Sequence, residues 1–189
     1  KDSVKSDESL HVQAIVKAAI TSRKSTRAFL PHPIAPELLD ELLRIAGSAP
    51  SGSNIQPWQV HVVSGAARDR LSAALLAAHE ADAPSTREYQ YYPLEWRSPY
   101  IERRRATGWG LYGLLGIQKG DHEATSRQMG RNYEFFDAPA VLLFTMDQDM
   151  QTGSWLDYGM FLQNIMIAAR GYGLHTCPQA ALSNYPHIV

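Results

Sequence analysis

One segment limits the choice of fold more than any other. Ser154 to Arg170 reads as a helix, with Ser154 and Asp157 in capping-box spacing at its start and Asp157 in the Glu/Gln role. Met160, Phe161, Leu162, Ile165, Met166, Ile167, Ala168 and Ala169 leave it almost no polar face. A helix that is apolar all round has to be buried on every side, in a core or against a second subunit. It is not a membrane span, because no apolar run here reaches the roughly 20 residues that a bilayer requires. The remaining elements must therefore be arranged around it.

Those elements follow from periodicity. Leu10 to Thr21 carries Val12, Ile15, Val16, Ala19 and Ile20 at helical spacing. Pro36 opens a second helix, with Leu38, Leu39, Leu42, Leu43 and Ala46 on one face and Gly47 at its end. Trp58 to Val63 reads as a strand, Gly65 breaks it, and Ala66 to His79 returns to helix. Ala81 to Trp96 is rich in Pro, Tyr and charge, and reads as a long surface excursion of the kind that builds lids or pocket walls. Helices are expected from Tyr100 to Leu115 and from Glu123 to Arg131. Ala138 to Met146, with Pro139 near its start, reads as a strand buried on both faces. Helices broken by well-separated strands define an α+β fold, with a mixed sheet in one domain over residues 1–189.

Composition removes several classes of function. The formal charge of −1 gives no field to draw in nucleic acid or an anionic membrane. A single cysteine, Cys177, rules out an internal disulfide framework and fits a reducing compartment. The start, Lys1 to Glu8, is polar and mixed in sign, which reads as a loose terminus and no signal peptide. The expectation is a cytoplasmic protein. Gly108-Trp109-Gly110-Leu111-Tyr112-Gly113 matches the dinucleotide pattern G-x-G-x-x-G, but the charged stretch before it is no strand. Arg103-Arg104-Arg105 reads as a solvated face. The histidines fall into no zinc spacing, and no G-x-S-x-G elbow occurs, so neither a metal site nor a common serine hydrolase is expected.

Three segments remain, each oddly polar for its setting. Arg23-Lys24-Ser25-Thr26-Arg27 puts guanidiniums and hydroxyls in one turn, suited to a phosphate or a polarised carbonyl, or else simply an exposed basic loop. Pro50-Ser51-Gly52-Ser53-Asn54-Ile55-Gln56-Pro57-Trp58 offers close backbone approach, polar groups and an aromatic platform, though an ordinary connector has the same composition. Gly173 to Ala181 either presents backbone amides to a ring or is a helix stop with a return strand.

Taken together, their wording is distinctive. R-x-S-x-R-x-F (Arg23, Ser25, Arg27, Phe29), then A-P-S-G-S-N-x-Q-P-W, then G-L-x-T-C-P-Q-A resembles the FMN-dependent nitroreductase family from about Ala14 onward. The arginine triplet and Asn132 to Pro139 look like the subgroup that reduces nitrobenzoates and related nitroaromatics. The resemblance implies an intertwined homodimer with two flavins at its interface. It implies that Arg23, Lys24, Ser25 and Arg27 grip the FMN phosphate and pyrimidine edge, with Arg27 tuning the reduced cofactor. Pro50, Ser51, Gly52, Asn54 and Gln56 would reach FMN from the partner subunit, and Pro178, Gln179 and Ala180 would lie along the ring. NADH or NADPH would reduce the flavin, and a nitroaromatic or a quinone would then take the electrons by ping-pong. No protein nucleophile is required, because the cofactor carries the chemistry. Tyr89, Tyr91, Tyr92, Trp96 and Tyr112 are candidates for a wall that stacks on the acceptor, and equally for plain packing. Family chains normally run a few tens of residues further, through a strand and an Arg-containing tail, so the resemblance implies either that a tail follows Val189 or that part of the flavin site and dimer embrace is missing.

Three alternatives stand beside this reading. A flavin reductive dehalogenase like the iodotyrosine deiodinases shares the A-P-S-G wording, but would need a lid carrying Glu, Tyr and Lys. A flavin-binding module without turnover would be yellow and unbleached by NAD(P)H. An FMN-free structural homodimer would be colourless.

Overall fold

The computed structural model describes residues 7–189. The start expected to be loose lies outside the described residues as far as Ser6, while Asp7 and Glu8 already belong to a helix. In chain order the elements are α1 (Asp7–Ser22), α2 (Pro36–Ala46), β1 (Gln59–Ser64), α3 (Gly65–Glu80), α4 (Tyr100–Leu114), α5 (His122–Gly130), β2 (Ala140–Thr145) and α6 (Thr152–Gly171). They fall into two compact units. The first is the chain up to Ser64 with Pro139–Pro178, and the second is Gly65–Ala138 with Gln179–Val189.

In the first unit, α1 and α2 pack on α6. Ser154, Tyr158, Phe161, Ile165 and Ala169 form one buried stripe along α6, spaced by three and four residues as a helix face must be. Tyr158, Phe161 and Ile165 meet Ala46 and Ala49, with Leu43, Trp58, Val60, Leu142, Met146 and Leu162 around them. Phe161 lies flat on Trp58, ring centroids 4.7 Å apart. β1 and β2 run antiparallel, from Gln59 opposite Thr145 to Ser64 opposite Ala140. The Tyr158 hydroxyl donates to the Gln59 carbonyl at 2.8 Å and the Thr145 carbonyl at 2.9 Å, sharing one proton across the end of that ladder. Burial pushes the pKa of this phenol up to about 12.

The α+β expectation holds, in a reduced form. Among the described residues the regular sheet is a two-stranded antiparallel ladder and not the mixed sheet expected, with one isolated parallel bridge, Ser25 to Thr176, outside it. β2 is not buried on both faces. Ala140 to Leu143 are half-buried and Phe144 and Thr145 exposed, because within its unit β2 has one neighbouring strand and α6 behind one face. The expected capping box is also absent. α6 starts two residues earlier, at Thr152, with Gln151 at the N-cap and no side-chain cap, and Asp157 is used elsewhere. Among the described residues, the N-terminal half of α6 is covered on one face, while from Phe161 to Arg170 it is buried or half-buried all round. Trp155, Leu156 and Met160 on other faces are exposed, Leu156 by 72%. α1 likewise exposes Leu10, Val12, Ile15, Val16 and Ile20.

In the second unit, α3 packs on α5. A methyl group on Gly130 would sit 3.1 Å from Leu76 Cδ1, so glycine permits the close approach there. Arg131 pairs with Glu134 and Asp137, and its guanidinium holds the Asp137 carboxyl below the usual carboxylate range. The excursion after α3 has no regular element before α4. Gly108, Gly110 and Gly113 all lie inside α4, so the G-x-G-x-x-G match has no strand-to-helix turn to act through. Among the described residues, no helix is long and apolar enough to cross a membrane.

Candidate functional site

The basic turn follows directly from the end of α1 and is held by its backbone. Ser25 bridges to Thr176 in parallel, and the Thr26 amide donates to the Thr176 carbonyl at 3.1 Å. The first and third polar segments are thus joined, although about 150 residues of chain separate them. Arg170 braces this junction. Its Nε donates to Ser22 Oγ at 3.1 Å, and its Nη1 to the Leu174 carbonyl at 2.9 Å and His175 Nε2 at 3.1 Å. Arg23 is half-buried, while Lys24 and Arg27 are exposed. Among the described residues none of the three belongs to an ion pair. The hydroxyls of Thr26 and Thr176 are buried and have no hydrogen-bond partner among the described residues. Uncompensated cations beside orphaned hydroxyls are what an anionic ligand satisfies.

The second segment is organised differently. After Ser51 the backbone makes a 3-10 turn at Gly52–Asn54, and Ser53, Asn54 and Gln56 have φ of 51°, 57° and 49°. Left-handed conformations of this kind cost side-chain-bearing residues of order 1–3 kcal/mol each, so something must hold them. Ser51 Oγ accepts from the Gln56 amide at 3.0 Å, and Gln56 Nε2 donates to the Asn54 carbonyl at 3.3 Å. Asp157 Oδ2 accepts from the Gly52 amide at 3.0 Å, reaching over from α6. Pro57 is buried, and Trp58 anchors the far end on Phe161. Among the described residues, no hydrogen bond or ion pair joins this loop to the basic turn.

The third segment crosses from one unit to the other in sequence. Pro178 ends the first, and Gln179 and Ala180 begin the closing stretch of the second. Gln179 Oε1 is buried and without a hydrogen-bond partner among the described residues. The Ala180 carbonyl accepts from Ser183 Oγ at 2.6 Å, closing the turn at Ala181–Asn184. Cys177 is half-buried and forms no disulfide. In the second unit Tyr92 touches Tyr91 and Trp96 (centroids 4.7 and 5.5 Å), and Arg104 lies 4.6 Å over Trp96. An open hollow of about 320 Å³ is lined by Pro93, Glu95, Trp96, Arg97 and Tyr100. Tyr112 pairs with Trp109 instead.

Sequence reasoning missed the two supporting residues, Asp157 and Arg170. Both stand on α6, 13 residues or roughly 20 Å of helix apart. Read locally, each belongs to its own helix, as cap or terminus. The available signal was that a charge on an otherwise apolar helix must serve a partner outside it.

This wording and geometry match known proteins. The Nitroreductase family pattern matches residues 20–186, and the chain belongs to that family. It is 42% identical to a 4-nitrobenzoate reductase of Pseudomonas putida over 172 residues, 91% of this chain and 75% of that one. It is 41% identical to a nitrobenzene nitroreductase of Ectopseudomonas oleovorans over 85% of this chain and 71% of that one. The fold superposes on the FMN-dependent nitroreductase NfnB from Mycobacterium smegmatis, solved in complex with NADPH. The TM-score is 0.89 at 34% identity, covering 94% of this chain and 79% of that one.

Proposed function

We propose that this protein is an FMN-dependent oxidoreductase that takes electrons from NADPH or NADH and delivers them to nitroaromatic acceptors, with quinones as further substrates. The carrying observation is the basic turn: Arg23, Lys24 and Arg27 have no ion-pair partner among the described residues, on a backbone bridged to Thr176. When bound, FMN supplies the electron-transfer chemistry between nicotinamide and acceptor. Arg23, Lys24 and Ser25 bind the phosphate by charge-assisted hydrogen bonds. Arg27 would supply a cation to offset negative charge on the bound flavin. Pro50, Ser51, Gly52, Asn54 and Gln56 bring a fixed loop to the ring, and Pro178, Gln179 and Ala180 flank it, the Gln179 oxygen being a buried acceptor in need of a donor.

The protein acts in this reading as a homodimer. The uncovered apolar residues of α6 and the stripe on α1 support it, since contiguous apolar surface of this kind marks an interface. The family match spans both units, which supports treating them as one nitroreductase domain. A cytoplasmic enzyme is the reading that fits a nicotinamide reductant and a thiol outside any disulfide. Steady-state rates with NADPH varied at several fixed concentrations of 4-nitrobenzoate should give parallel double-reciprocal lines. Intersecting lines, or a protein that takes up no FMN, would overturn the proposal.

A further inference from the structure

Asp157 is a charged side chain on a helix whose neighbouring positions are apolar. It sits in the second turn of α6, half-buried, and is in no ion pair among the described residues. Its contact is the Gly52 amide, 105 residues away in sequence, at 3.0 Å. Partial burial of a carboxylate is unfavourable unless a donor offsets it, so the pairing needs a reason beyond packing. That reason is the stretch from Ser53 to Gln56, in which Ser53, Asn54 and Gln56 have positive φ around a right-handed Ile55. Asp157 fixes its entry at Gly52, and Ser51 Oγ fixes its exit at the Gln56 amide. Between these two brackets Ser53 and Asn54 are exposed in left-handed conformations, which cost Ser53 more than Asn54.

We propose that Asp157 is a positioning residue of the cofactor site, its carboxylate keeping the Gly52–Gln56 loop in the form that meets FMN. The proposal rests on the FMN reading above. It assigns to α6 a role in affinity that is separate from its role in the core.

Asp157→Leu and Asp157→Asn both keep a branched side chain of the same heavy-atom count, but only the second retains an acceptor oxygen. Tyr158→Phe is the control for damage to α6 packing. FMN affinity is read by quenching of flavin fluorescence, and amide hydrogen exchange over residues 52–56 is read in protein stripped of FMN. Asp157→Leu should weaken FMN binding about tenfold or more, as loss of a charged acceptor implies. Asp157→Asn should lose about threefold, because a neutral acceptor is weaker. Both should exchange faster at 52–56, while Tyr158→Phe binds FMN as the parent does. If Asp157→Leu does not fold, Asp157→Asn decides alone: unchanged affinity and unchanged exchange overturn the proposal. Equal losses in Asp157→Leu and Tyr158→Phe overturn it too, since Asp157 would then be serving the core. Should the parent bind no FMN, the functional reading fails, and the exchange contrast still decides whether Asp157 holds the loop.

Discussion

The basic turn at Arg23–Arg27 and the loop at Ser51–Gln56, both assigned to the flavin in the proposal, are built for it by opposite means. The turn acts through its side chains. Its backbone is ordinary, is tied to Thr176 by a bridge and one amide hydrogen bond, and leaves three cations free of ion-pair partners among the described residues. The loop acts through its backbone. It carries no charge of its own, holds three residues at positive φ, and borrows Asp157 to stay there. A site made of charge needs a rigid support beneath it, whereas a site made of shape needs clamps at its ends. α6 supplies both, through Arg170 at one end and Asp157 near the other.

The largest effect that sharpens this contrast belongs to the turn. Arg23→Ala combined with Arg27→Ala should weaken FMN binding by about two orders of magnitude at low salt, since hydrogen bonds to charged groups contribute roughly 1.5–3 kcal/mol each. The same double variant should melt like the parent, because neither guanidinium has an ion-pair partner to lose. A large drop in melting temperature would show that the turn is held by its side chains after all.

Tyr158→Phe is the intermediate case. It removes the hydrogen bonds that close the β1–β2 ladder and should cost about 1 kcal/mol of stability without altering FMN affinity. It also has a pH signature. Tyr158 titrates near 12 in the fold against an ordinary value of 10, so its stabilising effect is complete below pH 10 and is lost as pH rises through 12. Denaturant midpoints followed from about pH 8 upward should show a shallower alkaline decline in the phenylalanine variant. An identical decline in both proteins would place the titrating group elsewhere.

The smallest effect tests the strain in the loop. Ser53 is exposed at φ 51°, where glycine is at home, so Ser53→Gly should leave stability unchanged or raise it by less than about 1 kcal/mol. A clear loss in a melting experiment would mean that the serine side chain is what holds the turn.

Much of this was legible in the sequence, and the reason differs by region. The turn is charge chemistry, so the role proposed for it can be read from its residue types wherever the backbone goes. α2 was legible from Pro36 to its end because proline at the first helical position and a stripe of leucines are local signals. The loop's composition suggested close backbone approach, yet its departures into left-handed space are fixed by contacts from α6, which no local pattern encodes. Asp157 illustrates the limit. Its spacing from Ser154 satisfied a helix-start rule, but a tertiary partner competed for the carboxylate and won. β2 failed for a related reason, since an apolar run reports that a strand prefers burial and not how many faces its own chain will cover.

The central claim, that the chain binds FMN and passes electrons through it, is tested most directly by anaerobic visible spectroscopy of the purified protein reconstituted with FMN. The account predicts flavin bands that bleach on addition of NADPH or NADH and return when 4-nitrobenzoate is added, both at rates competent for turnover. A protein that stays yellow under excess reduced nicotinamide, or that holds no flavin at all, would contradict it.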